Sequence, residues 1–305
     1  ISDAEDRVMC FDVQREDELF AGWHDDSASP SAELLPNGKK SRYKTGPYGN
    51  GKGLDFFVNK AGGIDIIIGG PPCQAYSVAG RVRDEKGMKD DYRNYLFEHY
   101  LSVVNRYKPK VFVFENVPGI LSAMPDGTPI TSLIRQGFAN IGYEIVDDIK
   151  KYAKINASDY GVPQHRERVI ILGVRKDIFC DPQCVLHHFY SVVLPKYKVS
   201  KKRTVEDAIG DLPAIYPIIN EHSSPKRIGY TKPECFTTWH NARHHSLRDV
   251  EIYGMLAEDI SSGRNEYADS ASLSELYEKR VGGKSPIHRY HVLRKDEPST
   301  TIISH

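Results

Sequence analysis

Ile64-Asp65-Ile66-Ile67-Ile68-Gly69-Gly70-Pro71-Pro72 is the stretch on which the reading of the chain turns. A β-branched run without polar alternation predicts a strand buried on both faces, and the Gly-Gly-Pro-Pro that follows ends it. Downstream the pattern repeats. Residues 95–107 predict a helix with Leu96, Tyr100, Leu101, Val104 and Tyr107 on one face, closed by Pro109. Val111-Phe112-Val113-Phe114 reads as a second buried strand, running directly into Glu115-Asn116-Val117-Pro118-Gly119. Residues 129–141 read as helical, 143–152 as extended and 168–174 as a further strand. Alternating β and α elements with continuous apolar strands predict an α/β fold: a doubly wound, Rossmann-like, parallel sheet. Ligands of such sheets bind beyond the carboxyl ends of the strands, which places Cys73 and Glu115 on one rim.

The 305 residues allow about two domains. With 40% hydrophobic and 27% charged residues, and no long apolar run, the chain is not a membrane-spanning, collagenous or wholly disordered one. The formal charge of zero conceals an uneven distribution: residues 1–36 hold ten acids and two bases, leaving 39 bases against 31 acids from Asn37 onward. A basic body of this kind can bind a polyanion. A cluster at Lys196, Lys198, Lys201, Lys202 and Arg203 sharpens that expectation. The five scattered cysteines (Cys10, Cys73, Cys180, Cys184 and Cys235) suit reduced thiols in a cytoplasmic setting. After Val174 the periodicity becomes patchy, with helices expected after the Thr204-Val205-Glu206-Asp207 cap and near 246–260.

Three elements carry candidate chemistry. Cys73, between prolines and glycines at a strand end, is placed as an exposed thiolate nucleophile would be, although a small buried thiol fits the position equally well. Glu115, after four apolar strand residues, could hold or share a proton, or simply be a solvated loop carboxylate. Arg166 and Arg168, two apart at a strand entry, share a face suited to gripping a carbonyl oxygen or phosphate; a salt-bridged strand entry is the plainer alternative. Cys180, Cys184, His187 and His188 have roughly ligand-like spacing, but a single such cluster argues against zinc, and no metal is expected.

Taken together the elements are specific. Pro71-Pro72-Cys73-Gln74 with the following Ala75 to Arg81, Phe114-Glu115-Asn116-Val117-Pro118-Gly119, and Gln164-His165-Arg166-Glu167-Arg168 closely resemble, in order and spacing, motifs of the cytosine-5 DNA methyltransferases. The resemblance continues through Thr204 to Pro213 and Asp296 to Ile302. It implies that Cys73 attacks C6 of a flipped cytosine and that Glu115 engages N3 and the exocyclic amine. Arg166 and Arg168 would hold O2 and a nearby phosphate, and Pro72, Gln74, Ser77, Asn116 and Gln164 would contact or brace the substrate. S-adenosylmethionine would donate the methyl group, with Asp12 and Pro72 at the cofactor. Residues 75–95 would form a mobile loop closing on DNA.

The resemblance also implies a catalytic domain over 1–175, a target-recognition domain over 176–290 and a return segment over 291–305. The partner would be double-stranded DNA, met by a monomer or by a chain with a complementing partner, in a bacterial restriction-modification setting and without a membrane. Two cofactor elements depart from the family pattern. Leu19-Phe20-Ala21-Gly22-Trp23-His24 lacks the second glycine of a Phe-x-Gly-x-Gly loop, and Gly51-Lys52 stands where a Gly-Asp is expected. The chain also stops before the family's last motif, so a truncated or naturally split protein is expected. Rival readings are a tRNA methyltransferase, from Cys235-Phe236-Thr237, and a non-catalytic DNA-binding subunit.

Overall fold

A computed structural model of the chain describes residues 13, 15–22, 51–71, 96–124, 127–220, 224–237, 239–283 and 290–301. The chain divides into two compact units, one of residues 1–156 and 167–198, the other of residues 157–166 and 199–305.

The first unit holds a five-stranded mixed sheet, β1 Ile66–Gly69, β2 Val111–Asn116, β3 Tyr143–Ile145, β4 Lys154–Asn156 and β5 Glu167–Arg175. Its helices include α1 Glu16–Ala21, α2 Leu54–Lys60, α3 Phe97–Tyr107, α4 Ile130–Asn140, α5 Ile149–Tyr152 and α6 Pro182–His188. The α/β class expected from the sequence is therefore present, with one topological difference. β1 pairs with β2 in parallel, but β5 lies antiparallel between β2 and β3. At its other end β5 pairs with β4, also antiparallel. An apolar strand buried in a sheet reads the same in either direction, so periodicity alone did not report the reversal.

Aromatic packing holds this sheet to its helices. Phe112 of β2 stacks on Phe138 of α4 at 4.0 Å between ring centroids, and Tyr100 of α3 meets Phe114 edge-on at 5.4 Å. The Tyr100 hydroxyl donates to Val113 O at 2.9 Å and reaches Ile67 O at 3.3 Å, pinning α3 across the β1–β2 pair. Opposite Phe112 in the ladder stands Gly173, where a methyl group would lie 2.1 Å from the Phe112 ring. Only glycine leaves the ring its place.

Two expectations change here. The isoleucine run is not buried on both faces: Ile67 packs into the core, while Ile66 and Ile68 are 53% and 75% exposed. β1 pairs only with β2 among the described strands, and its covered face is the one that carries Ile67. Residues 143–152 are not continuously extended either. The Asp148 carboxylate accepts the Lys151 N–H and starts the short helix α5, a local cap that overrides the extended reading.

The second unit carries α7 Val205–Ile209, a two-stranded ladder of β6 Pro217–Ile218 with β7 Gly229–Tyr230, α8 Leu247–Ser261 and α9 Ser270–Val281. Both helices expected from the sequence are present, each with a reciprocal capping box, Thr204 with Asp207 and Ser246 with Asp249. Ile252 and Leu256 of α8 pack with Leu276 of α9 and with Tyr290. The buried Asp259 accepts the backbone N–H groups of Glu266 and Tyr267, which satisfies its charge and fixes the turn after α8. No helix among the described residues is long and apolar enough to cross a membrane.

Candidate active site

The described part of the rim in the first unit is built on the carboxyl ends of β1 and β2. Glu115 and Asn116, read from the sequence as following the strand, are its last two residues and pair with Ile170 and Val169 of β5. Alternation along β2 buries Asn116 and leaves Glu115 partly open. Asn116 ties the rim together: its amide Nδ2 donates to Pro71 O at 3.4 Å and its Oδ1 accepts the Val117 N–H at 2.9 Å. The end of β2 is thereby joined to the segment that leads into Cys73.

Glu115 is held from two sides. Arg168, near the start of β5, places Nε 2.8 Å from Glu115 Oε1; the arginine side chain is 18% exposed and the carboxylate 42%. The same guanidinium donates through Nη1 to Glu167 O. On the other side the carboxylate lies over Gly70, where a methyl group would stand 2.8 Å from Oε2. An acid fixed by a cation on one oxygen, yet nearly half open, can accept hydrogen bonds from an incoming polar ring without first being reoriented.

Of the candidate residues, Glu115, Asn116 and Arg168 come together in this unit. Gln164 and Arg166 belong to the second. β5 begins at Glu167, one residue after Arg166, whose carbonyl accepts the Ala157 N–H at 3.0 Å. Gln164 bridges to Ser299, flanked by His165 N–H to Ser299 O at 2.7 Å and Ser299 N–H to Pro163 O at 2.9 Å. The Thr301 hydroxyl donates to His165 O at 2.7 Å. Val205 N–H and Glu206 N–H donate to Glu297 O and Lys295 O, both at 2.9 Å. Three stretches that are distant in sequence, at 163–165, 204–206 and 295–301, are thus joined by backbone hydrogen bonds.

Asp12, Pro72, Cys73, Gln74 and Ser77 lie outside the described residues, as does the whole of the 75–95 loop. Gly70, Pro71, Ser299 and Thr301 belong to stretches quoted from the sequence but were not named there as site residues. The Gly-Gly before Pro-Pro was the one available signal, since paired glycines at a strand end mark a close approach.

Among the described residues the two stretches that depart from the expected cofactor pattern form no glycine-rich loop and offer no acid. Leu19 to Ala21 is helical, with Leu19 and Phe20 buried, and Gly22 bridges to Lys52 rather than opening a glycine-rich loop. Lys52 offers no acid, and its ammonium lies over the Phe56 ring at 4.2 Å. Cys180 and Cys184 are exposed free thiols, and no group of three or more metal-ligating side chains gathers among the described residues.

Comparison with known proteins gives a family match over residues 45–302, to the C-5 cytosine-specific DNA methylases. A type II methyltransferase of Bacillus paralicheniformis is 33% identical over 265 residues, covering 81% of this chain and 57% of that protein. One from Xanthomonas oryzae pv. oryzae is 42% identical over 151 residues, 49% of this chain and 30% of its own. A third, from Desulfomicrobium norvegicum, is 36% identical over 208 residues, with 63% and 45% covered. The chain therefore spans about half the length of the curated relatives it matches, or less.

Proposed function

Because this chain belongs to the C-5 cytosine-specific DNA methylase family, we propose that it methylates C5 of cytosine in double-stranded DNA through a covalent adduct with Cys73. The observation that carries the reading is the Glu115–Arg168 pair, set on β2 and β5 beside the Gly70–Pro71 lead into Cys73.

In this reading the Cys73 thiolate adds to C6 of a cytosine turned out of the duplex, and the electron pair of the C5–C6 double bond moves toward C5, O2 and N3. Glu115 accepts from the exocyclic amine and shares a proton with N3 as charge gathers there, and Arg168 keeps the carboxyl group aimed while its remaining N–H groups serve O2. S-adenosylmethionine supplies the methyl group when bound. C5 takes that methyl, then loses its proton to solvent or a base, and the returning electron pair breaks the Cys73–C6 bond. Gln164 and Arg166, in a stretch braced through Ser299 and Thr301, are proposed as substrate-contacting residues of the second unit. Asp12 and Pro72 are proposed at the cofactor, residues 1–175 as the catalytic domain, 176–290 as the recognition domain and 291–305 as the return segment. The natural setting is a bacterial restriction-modification system in the cytoplasm.

The test is transfer of tritiated methyl groups from S-adenosylmethionine to duplex DNA or to tRNA, by wild type and by Cys73→Ser. The expected result is incorporation into DNA by the wild type alone, and capture of the wild type but not the variant by DNA containing 5-fluorocytosine. Unimpaired transfer by Cys73→Ser would overturn the mechanism, and preferential incorporation into tRNA would overturn the substrate.

A further inference from the structure

The second unit exposes large aromatic side chains that its core does not use. Trp239 is 90% exposed and Phe236 78%, three residues apart in one loop. Tyr216, at 64%, and Ile219, at 55%, stand open beside the β6–β7 ladder. A fully exposed tryptophan forgoes the burial of roughly 150–250 Å² of ring surface. Single exposed apolar residues are ordinary, but several aromatics on connected segments mark a contact surface.

The described residues of the loop are tied to their surroundings at three places. Its start is tied by Thr231 N–H to Tyr216 O and by Tyr216 N–H to the Thr231 hydroxyl, both at 2.9 Å. Its end is tied by Ile228 N–H to His245 O at 2.8 Å, with His244 Nδ1 donating to Ile228 O at 2.9 Å. In the middle, His240 Nε2 donates to Pro213 O at 2.7 Å, one residue beyond Trp239. The rings are presented on a braced backbone, so little ordering remains to be done on binding.

Charge selects the occupant. From Ser224 to Arg248 there are five bases, Lys226, Arg227, Lys232, Arg243 and Arg248, all exposed, against one acid, Glu234. A protein partner matched to this face would have to be both acidic and aromatic-binding. Duplex DNA supplies both features at once, phosphates for the cations and base faces for the rings.

We propose that the 231–245 loop is a base-contacting element in which Trp239, supported by Phe236, stacks on bases of double-stranded DNA at an opened step, while Lys226, Arg227, Lys232 and Arg243 hold the flanking phosphates. The proposal rests on the DNA reading given above and adds to it a positioning role for Trp239. Stacking and charge have separable signatures. Removing a phosphate contact lowers the salt dependence of binding, whereas removing a stacked ring lowers affinity at constant salt slope.

The experiment measures duplex binding by fluorescence anisotropy across a salt series for wild type, Trp239→Ala, Trp239→Phe and Arg243→Ala. It is joined to tryptophan emission in a Trp23→Phe background, where Trp239 is the sole reporter because the chain has two tryptophans. The expected result is an affinity loss of about 5- to 150-fold for Trp239→Ala with the salt slope kept. Trp239→Phe should recover part of that affinity, Arg243→Ala should show a shallower slope, and Trp239 emission should be quenched on DNA addition. Wild type that binds duplex while Trp239→Ala binds equally well and Trp239 emission is unmoved overturns this proposal alone. Wild type that fails to bind duplex overturns the DNA reading and this proposal together. Far-ultraviolet circular dichroism of each variant identifies a misfolded protein, and Trp239→Phe then carries the test.

Discussion

Arg168 Nε meets Glu115 Oε1 at 2.8 Å, joining an acid at the end of β2 to a cation at the start of the antiparallel strand beside it. A partly exposed pair of this kind stabilises by about 1 kcal/mol or less, because solvent screens it. Its value lies in aim: the guanidinium fixes one carboxylate oxygen and leaves the group nearly half open.

The first prediction follows from that separation. Arg168→Ala should change thermal stability by no more than about 1 kcal/mol, and should lower methyl transfer by about 100-fold or more. Arg168→Lys should restore little of the loss, since an ammonium cannot span a carboxylate and a carbonyl oxygen in one plane. Single-turnover methylation beside a melting curve measures both quantities. A large loss of stability with normal turnover would make the pair a structural contact.

Gly70 and Asn116 give a second, paired prediction about the same rim. Gly70→Ala puts a methyl group 2.8 Å from Glu115 Oε2, so the carboxylate must move while the core is untouched. Activity should fall about tenfold or more with stability held, as misplacement near the reacting centre is costly. Asn116→Ala should act through stability as well, because it strips partners from Pro71 O and Val117 N–H at a buried position, at about 1–3 kcal/mol. Comparing melting and turnover in the two variants tells the effects apart.

How far the rim was legible in the sequence depends on the kind of signal. Apolar runs at 64–69 and 111–114 located β1 and β2, because burial demands apolar side chains whatever the partner strand. The Thr204 cap located α7, because a cap is a local hydrogen bond. The antiparallel placement of β5 was not legible, since strand direction leaves no trace in residue type. Nor was the exposure of Ile66 and Ile68, since residue type does not say which face of a strand the packing will cover. The convergence of Pro163 to His165 on Ser299 rests on backbone hydrogen bonds, which any side chain permits.

Gly173 supplies a prediction about the core. A side chain here meets the Phe112 ring at 2.1 Å, and that ring is already stacked on Phe138 and in contact with Tyr143. Gly173→Ala should destabilise the first unit by about 1–3 kcal/mol through overpacking. Phe112→Leu combined with Gly173→Ala should recover part of the loss, because the smaller side chain clears the methyl. Chemical denaturation of the single and double variants measures the coupling, and simple additivity would show that the two sites do not press on each other.

The last prediction concerns pH and the second unit. Tyr290 donates its hydroxyl to Asp249 Oδ1 at 2.5 Å, joining the residue that caps α8 to the core cluster. Burial raises the Asp249 carboxyl, but hydrogen bonds from Tyr290 and Ser246 outweigh it, and the group lies below its ordinary 3.8. Burial, with the hydrogen bond to Asp249, pushes the Tyr290 phenol up to about 12 from 10.0. The signs are opposite. A lowered acid contributes stability that is present above pH 3.8 and lost as the pH falls through its folded value. A raised phenol contributes stability that is present below pH 10.0 and lost as the pH rises through about 12. Tyr290→Phe should therefore lower stability by about 1 kcal/mol near neutrality. It should also move acid unfolding of this unit to higher pH and remove the alkaline slope between 10.0 and 12. Hydrogen exchange along α8, followed across both ranges, reads each arm separately. Equal acid midpoints in variant and wild type would mean that Ser246 and Arg248 hold the Asp249 charge without Tyr290.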